Sequence, residues 1–359
     1  MITEKISIIV PSYNEKDNIK PLLTRIHQSL SAYDYEVIIV DDNSTDGTIE
    51  IANGLTSTFP VRLLVRTEER GLSTAVIHGI RHAEGSIIGV MDADLQHPPE
   101  ILPSIVKAVE DGADIVVGSR YIEGGGVPHW SALRKIISRG ASIIAHLFLP
   151  GARKIKDPMS GFFMFRREKV DPDVLKPIGY KIALEILLLG RFEKPTEVPY
   201  IFEDRSAGAS KLKWSTQIEY LRHILSLMAR TGEIKRILKF TAVGLTGVGV
   251  NQGLLWLLTD IGGLRYYVSA IFSIEASIIS NFVLNDYFTF ADRRSGKTKS
   301  FLHRMLKFNL TCATGALIQY GILVLFTSVF GLHYLLSNLI GIAIAFIWNY
   351  FINSIWTWK

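Results

Sequence analysis

The order of apolar and polar positions divides the chain near residue 230. Before that point, short β-rich runs without helical period (Lys5–Val10, Glu36–Val40, Val61–Val65, Ser86–Met91 and Asp114–Gly118) alternate with stretches of helical spacing. Ile19, Leu22, Leu23, Ile26 and Leu30 recur at that spacing, as do Ile101, Ile105 and Val109 behind Pro98-Pro99, a good place for a helix to start. Strands alternating with helices predict an α/β domain on a mostly parallel sheet, with ligands at the carboxyl ends of its strands.

Beyond residue 230 the pattern becomes long apolar runs. Phe308 to Trp358 are 51 consecutive residues without Asp, Glu, Lys or Arg, too long for one span and broken at Gly331-Leu332-His333. Phe240–Thr259 is charge-free, and Tyr267–Phe290 is interrupted only by Glu275 and Asp286. The expectation is an all-α transmembrane domain at 233–359 with four helices, near 239–259, 267–290, 308–330 and 335–357. Glu275 falls mid-span, where an ionisable group is costly. Its expected role is to hold helices together with Asn251, Asn281 or Asn338.

Charge follows the same division. Of 39 Lys and Arg and 34 Asp and Glu, 11 and 5 lie after residue 230, so the net charge of +5 belongs to the apolar third. The preceding part has no basic excess, which argues against nucleic acid as a partner. Basic residues cluster before the first span (Lys235, Arg236, Lys239) and between the second and third (Arg293, Arg294, Lys297, Lys299, Arg304, Lys307). The positive-inside rule then places the N-terminal domain on the cytoplasmic face of a multi-pass protein. Nothing before Ile6 resembles a signal peptide. The lone Cys312 excludes an intrachain disulfide.

Three polar clusters end predicted strands: Pro11-Ser12-Tyr13-Asn14-Glu15, Asp41-Asp42-Asn43-Ser44-Thr45-Asp46-Gly47 and Met91-Asp92-Ala93-Asp94-Leu95-Gln96-His97. Asp46 reads as a helix cap. Asp92 and Asp94 are two residues apart, so a continuing strand would point both to one side. With Gln96 they make a hard oxygen set suited to Mg²⁺ or Mn²⁺ shared with a substrate's phosphates. No phosphate-binding P-loop, dinucleotide fingerprint or Gly-x-Ser-x-Gly elbow is present.

At IIVPSYNE, VIIVDDNSTDGT and VMDADLQHPPE the chain resembles glycosyltransferase family 2 with its GT-A fold. IVVGSRY, DPMSGFF and DRSAGASKL narrow the likeness to dolichyl-phosphate mannose synthases and related polyprenyl-phosphate glycosyltransferases, over roughly residues 5–230. The tail resembles GtrA-type membrane domains. The resemblance implies a donor pocket of Pro11, Tyr13, Glu15, Val40, Asp42, Ser44, Asp92, Ala93 and Asp94, with Tyr13 on the base and Asp42 on base or ribose. It implies a metal on Asp92, Asp94 and Gln96, and Arg205 and Lys211 closing over the donor. Asp94, Arg205 and Lys211 are the expected catalytic residues.

The acceptor implied is a dolichyl or other polyprenyl phosphate, bound by Arg120, Arg134 and Ser138. Arg134, Lys135 and Arg139 accompany Ile136, Ile137, Ile143, Ile144, Leu147 and Phe148 on an expected interfacial helix at 131–148. A second amphipathic interfacial segment, at 211–232, carries Trp214, Ile218, Leu221, Leu225 and Met228 with Lys211, Lys213, Arg222 and Arg230. The cytosolic domain is then 1–210. The reaction implied is inverting transfer of mannose from GDP-mannose, giving a β-linked lipid phosphate sugar, with UDP-glucose as the alternative donor. A phosphate acceptor needs no base, and Glu185 is the nearest base candidate. The Gln-x-x-Arg-Trp motif of hydroxyl-acceptor relatives is absent. A lipid-linked sugar flippase or transporter and a catalytically dead anchor are the alternatives of other classes. Intact Asp92, Asp94 and Gln96 speak against both. The chain does not choose between a monomer and a homo-oligomer.

Overall fold

The computed structural model describes residues 4–203, 214–293 and 298–358, which divide into two units, Met1–Thr231 and Gly232–Lys359. Arg205 and Lys211 lie outside the described residues.

In the first unit, β1 (Ile6–Ser12), α1 (Lys16–Leu30), β2 (Tyr35–Asp41), α2 (Thr48–Gly54), β3 (Val61–Val65), α3 (Leu72–His82), β4 (Ile87–Val90), α4 (Leu102–Glu110) and β5 (Ile115–Ser119) follow one another. They are succeeded by α5 (Ala132–Phe148), β6 (Phe163–Arg166), α6 (Ile182–Leu189), β7 (Pro195–Pro199) and α7 (Trp214–Arg230). The sheet order is β3-β2-β1-β4-β6-β5-β7. All pairs are parallel except those of β6, which runs antiparallel to β4 and β5. This is the mostly parallel GT-A arrangement. The reversal of strand order beside β1 is where an open α/β sheet forms its crevice.

The apolar spacing of α1 is its buried face: Ile19, Leu22, Leu23, Ile26 and Leu30 pack with Leu102, Ile105 and Val109 of α4 on one side of the sheet. Ile77 and Ile80 of α3 and Ile182 and Ile186 of α6 cover the other. Gly79 is required by this closeness, since a Cβ there would meet Ile9 Cγ2 at 2.5 Å. Strand β4 ends at Val90, so Asp92 and Asp94 are not on a continuing strand. Both instead lie on the loop after it, followed by Leu95 at φ +63°, and burial of the Leu95 side chain in the core holds that unfavourable backbone. Two strands were invisible to the sequence pattern: β6 is four residues of FMFR, and β7 is flanked by proline.

The second unit holds α8 (Glu233–Trp256), α9 (Tyr266–Leu284), α10 (Thr298–Val324) and α11 (Tyr334–Ile352). Among the described residues these four, with their terminal turns, are long and apolar enough to cross a membrane. The first and third begin well before the charge-free runs, at Glu233 and Thr298.

The unit is a duplicated helical hairpin. Residue n of α8–α9 corresponds to n + 68 in α10–α11, since 315 − 247, 349 − 281 and 353 − 285 each equal 68. The packing repeats with the sequence. A Cβ on Gly247 would meet Asn281 Nδ2 at 2.3 Å, and one on Gly315 would meet Asn349 Oδ1 at 2.5 Å. Lys239 Nζ donates to the Phe288 carbonyl at 3.2 Å, and Lys307 Nζ to the Trp356 carbonyl at 3.1 Å. Phe290 and its counterpart Trp358 stack on each other at 4.4 Å.

Glu275 does not join this polar seam. It is exposed on α9, as are Ile271, Phe272, Ile274 and Ile279 of the same helix. Asn281 packs against Gly247, and Asn338 accepts from Gln319 Nε2 at 2.9 Å.

One buried ion pair of this unit, Arg304–Asp286, is made through Nε at 2.8 Å and Nη2 at 3.0 Å, with Trp358 Nε1 donating to the same carboxylate at 2.8 Å. Both side chains are buried. Arg304→Met leaves Asp286 without its cation and is expected to destabilise the unit by about 3–5 kcal/mol, whereas Asp286→Leu/Arg304→Met recovers most of that loss. Thermal unfolding in detergent measures both, and equal losses in the single and double variants would contradict the pairing.

Candidate active site

The carboxyl ends of β1, β2, β4 and β5 open into one cavity of about 680 Å³, within the usual range for a ligand site. Pro11, Tyr13, Glu15, Asp42, Asp92, Ala93, Asp94, Gln96, Arg120, Arg134 and Ser138 all line it. Val40 and Ser44 do not. Val40 is core, beneath the cavity floor. Ser44 braces the loops: its Oγ donates to Asp41 Oδ2 at 2.8 Å and accepts from the Asn14 N–H at 2.8 Å.

Asp41 anchors that brace. It is fully buried and accepts from Ser12 Oγ at 2.7 Å and the Ser44 N–H at 2.7 Å, stitching the β1 and β2 loops together. Asp46 accepts from the Thr48 N–H at 3.0 Å, the start of α2. Asp42 is already engaged by Arg66, whose Nε donates to its Oδ1 at 2.8 Å, and by the Gly71 N–H, which donates to Oδ2 at 2.7 Å. Tyr13 carries Arg70 over its ring at 5.0 Å, a cation the sequence reading did not single out.

The donor set of Asp92, Asp94 and Gln96 fits a hard divalent cation. Gly161 keeps the space over Asp92 open, since a Cβ there would lie 3.4 Å from Oδ2 and 3.5 Å from Oδ1. The Gln96 N–H donates to Asp94 Oδ1 at 3.2 Å, and its side-chain Nε2 donates to the Glu203 carbonyl at 3.3 Å. Among the described residues no third carboxylate, imidazole or thiolate converges there. A cation held on these oxygens would complete its shell from water or a ligand's phosphates. His97 is not a ligand: its Nδ1 accepts from the Asp92 N–H at 3.1 Å. Burial lowers its pKa to about 4, so the ring is neutral with its proton on Nε2.

The cationic wall differs from expectation at Arg120. Its guanidinium is buried and held by Asp157, through Nε at 2.7 Å and Nη2 at 2.8 Å. Its charge is thus largely neutralised within the protein. Trp130 joins it to the neighbouring cation, with Arg120 at 5.3 Å from the ring centroid and Arg134 at 4.1 Å. Ser138, one helical turn after Arg134, accepts from Tyr121 Oη at 2.7 Å. Lys181 also lines the cavity and was missed, because a single lysine before an apolar helix carries no pattern.

Glu185 does not line the cavity and is no base for it. It is fully buried, accepting from His223 Nε2 at 3.0 Å, the Lys176 N–H at 2.7 Å and Arg230 Nη1. Burial opposes its ionisation, but these donors outweigh burial and hold its carboxyl below the usual range. It clamps α7 to α6.

Two outcomes follow. Asp157→Asn, by leaving Arg120 buried without its counter-charge, should lower stability by about 3–5 kcal/mol in thermal or denaturant unfolding. Glu185→Gln should destabilise the protein yet keep turnover within a few-fold. A drop of about 10²–10⁴ in kcat, the usual contribution of a general base, would restore it to the chemistry.

Residues 7–172 match the model of "Glycosyl transferase family 2", and residues 239–358 match "GtrA/DPMS, transmembrane domain". A dolichol-phosphate mannosyltransferase of Pyrococcus furiosus is 47% identical over 356 residues, covering 99% of both chains. A dolichol-phosphate mannosyltransferase of Saccharomyces cerevisiae is 41% identical over 236 residues, covering 62% of this chain and 86% of its own. A solved glucosyl-3-phosphoglycerate synthase of Mycobacterium tuberculosis aligns with a TM-score of 0.49 at 19% identity, over 64% of this chain and 80% of that one. With the family 2 signature at the strand ends and a full-length relative at this identity, the chain belongs to the dolichol-phosphate mannosyltransferases of glycosyl transferase family 2, the branch that carries a GtrA/DPMS membrane domain.

Proposed function

We propose that the protein transfers mannose from GDP-mannose to dolichyl or another polyprenyl phosphate, with inversion at the anomeric carbon. The observation that carries this is one cavity bordered by Tyr13 and Asp42, by the Asp92 and Asp94 carboxylates, and by Arg134 and Ser138. A nucleotide, its diphosphate and a second phosphate each have a matching wall. A phosphate oxygen forms the bond to C1 as the bond from C1 to the diphosphate oxygen breaks, the electron pair leaving with GDP. An α-linked donor then gives a β-linked product.

The acceptor needs no deprotonation, because a phosphate monoester with a second pKa near 6 is largely dianionic at neutral pH. This agrees with a cavity that does not include Glu185. Catalysis then consists of positioning and charge stabilisation. Tyr13 packs on the base, and Glu15, Asp42 and Pro11 shape its pocket. Arg134 and Ser138 hold the acceptor phosphate, with Arg120 fixing the wall behind them. Arg205 and Lys211, outside the described residues, are assigned to the leaving diphosphate. Mg²⁺ or Mn²⁺ on Asp92, Asp94 and Gln96 would supply Lewis-acid neutralisation of that diphosphate.

The lipid reaches the cavity along the membrane surface. On α5, Leu133 and Ile136 are each 67% exposed and Ile143 56%, while Ile218, Leu221 and Leu225 are exposed on α7. Exposed apolar rows beside basic residues suit an interfacial helix. Basic residues at the ends of the hairpins favour a cytoplasmic catalytic domain.

Purified protein given polyprenyl phosphate, Mg²⁺ or Mn²⁺, and labelled GDP-mannose or UDP-glucose in parallel should move label into the organic phase from GDP-mannose alone. Label from UDP-glucose alone would keep the reaction and replace the donor. Asp94→Asn should abolish transfer with the fold intact, and unchanged turnover would remove Asp94 from the metal site.

A further inference from the structure

We infer that Lys181 is an acceptor-phosphate-binding residue, completing with Arg134 and Ser138 the wall that receives the lipid phosphate dianion. The inference rests on the proposed reaction and names a residue of that same site.

Lys181 immediately precedes α6 and lines the cavity together with residues of the carboxylate loop, α5 and α7. Its Nζ donates to the Met159 carbonyl at 3.1 Å and sits 4.4 Å from the centroid of the Tyr180 ring. Neither contact neutralises a charge, and a lysine ammonium has three protons to place. The charged groups acting on it are Arg120, Asp157, Asp92 and Arg134. Asp157 is committed to Arg120 in a two-point ion pair, and no carboxylate of the described residues lies within ion-pairing distance of Lys181. A recessed ammonium without a counter-charge is costly. Burial first, then Arg120, lower its pKa to about 8, which still leaves most of it charged at neutral pH. Such an ammonium is a ready partner for an anion entering the cavity.

The neighbours decide which anion. Lys181 lines the same cavity as Arg134 and Ser138 of α5 and Thr216, Gln217 and Tyr220 of α7, and Arg134 is among the charges that act on it. Those two helices are joined where Tyr220 Oη donates to the Ala141 carbonyl at 2.6 Å, and both expose apolar rows outward. The clamp of Glu185 on His223 and Arg230 fixes α6, and with it Lys181, against α7. Charge also suits turnover. The acceptor enters as a monoester dianion and leaves as a diester monoanion, so two cations grip the substrate more strongly than the product.

The test uses the full-length protein in detergent, with polyprenyl phosphate as variable acceptor and nucleoside diphosphate binding followed separately by calorimetry. Lys181→Met should raise the KM for polyprenyl phosphate at least about tenfold, the scale of a lost charge-assisted hydrogen bond, and change nucleotide affinity less than twofold. Lys181→Arg should recover most of the loss. Lost nucleotide affinity with an unchanged acceptor KM would overturn the inference, as would unchanged values of both.

Should Lys181→Met fail to fold, wild-type binding of polyprenyl phosphate and of its methyl ester supplies the comparison. The monoanionic ester should bind at least about tenfold more weakly, and equal affinities overturn the inference. If wild-type protein transfers no sugar, the reaction falls, while direct binding of polyprenyl phosphate to wild-type and Lys181→Met protein still judges Lys181.

Discussion

The two-point ion pair between Arg120 and Asp157 is the fixed centre around which the catalytic unit is organised. Arg120 follows β5 directly and Asp157 lies ahead of β6, so the pair ties the end of a parallel strand to the chain entering the antiparallel one. Asp157 is steadied by its own N–H, which donates to Glu197 of β7 at 3.0 Å. Taking both charges out of water is expensive unless geometry is good and further hydrogen bonds are made, and the Arg120 N–H supplies one, donating to Asp157 at 3.0 Å. Trp130 then places Arg134 beside the same guanidinium. Asp157 is thereby spent on Arg120, and the Lys181 ammonium meets the Met159 carbonyl in place of a carboxylate.

How much of this was legible depends on the range of the interaction. The strand-end clusters were readable because each is a polar segment closing an apolar run, and all three end at one rim of the sheet. Asp92 and Asp94 were expected on a continuing strand, whereas β4 ends at Val90 and both lie on the loop that follows, with Leu95 at a positive φ that apolar periodicity cannot announce. Arg120 was located on the cavity, but its ion pair with Asp157, 37 residues away, carries no sequence signal. Asp42 was likewise placed correctly without its commitment to Arg66 being visible. Glu185 attracted attention as an acid in an apolar helix, which is also how a buried clamp looks in sequence.

The membrane unit shows the reverse case, a long-range fact written plainly in the sequence. Charge-free runs locate spans without showing that the second hairpin repeats the first. The small-residue positions Gly247 and Gly315, each under an asparagine, let paired helices approach closely, as membrane helix interfaces require. The copies have diverged where they meet. Asp286 is matched by Ser354, and Arg304 takes the acid while Arg293 Nη1 donates to Ser354 Oγ at 3.1 Å. One buried ion pair therefore belongs to the junction of the two hairpins rather than to each of them.

Helix α5 unites the two demands on a lipid-phosphate transferase. Arg134 and Ser138, four residues apart, fall on one face and line the cavity, whereas Leu133, Ile136 and Ile143 leave another face apolar and exposed. A polyprenyl phosphate has the same division, a dianionic head on a chain that cannot leave the membrane. On the proposed reaction, a helix set between those environments would hold the head while the chain stays in lipid, so the acceptor need not be lifted through water. The cavity beneath carries both kinds of group, the carboxylates of Asp92 and Asp94 and the cationic side chains of Arg134 and Lys181. On the proposed reaction such an acceptor arrives already charged and needs no base.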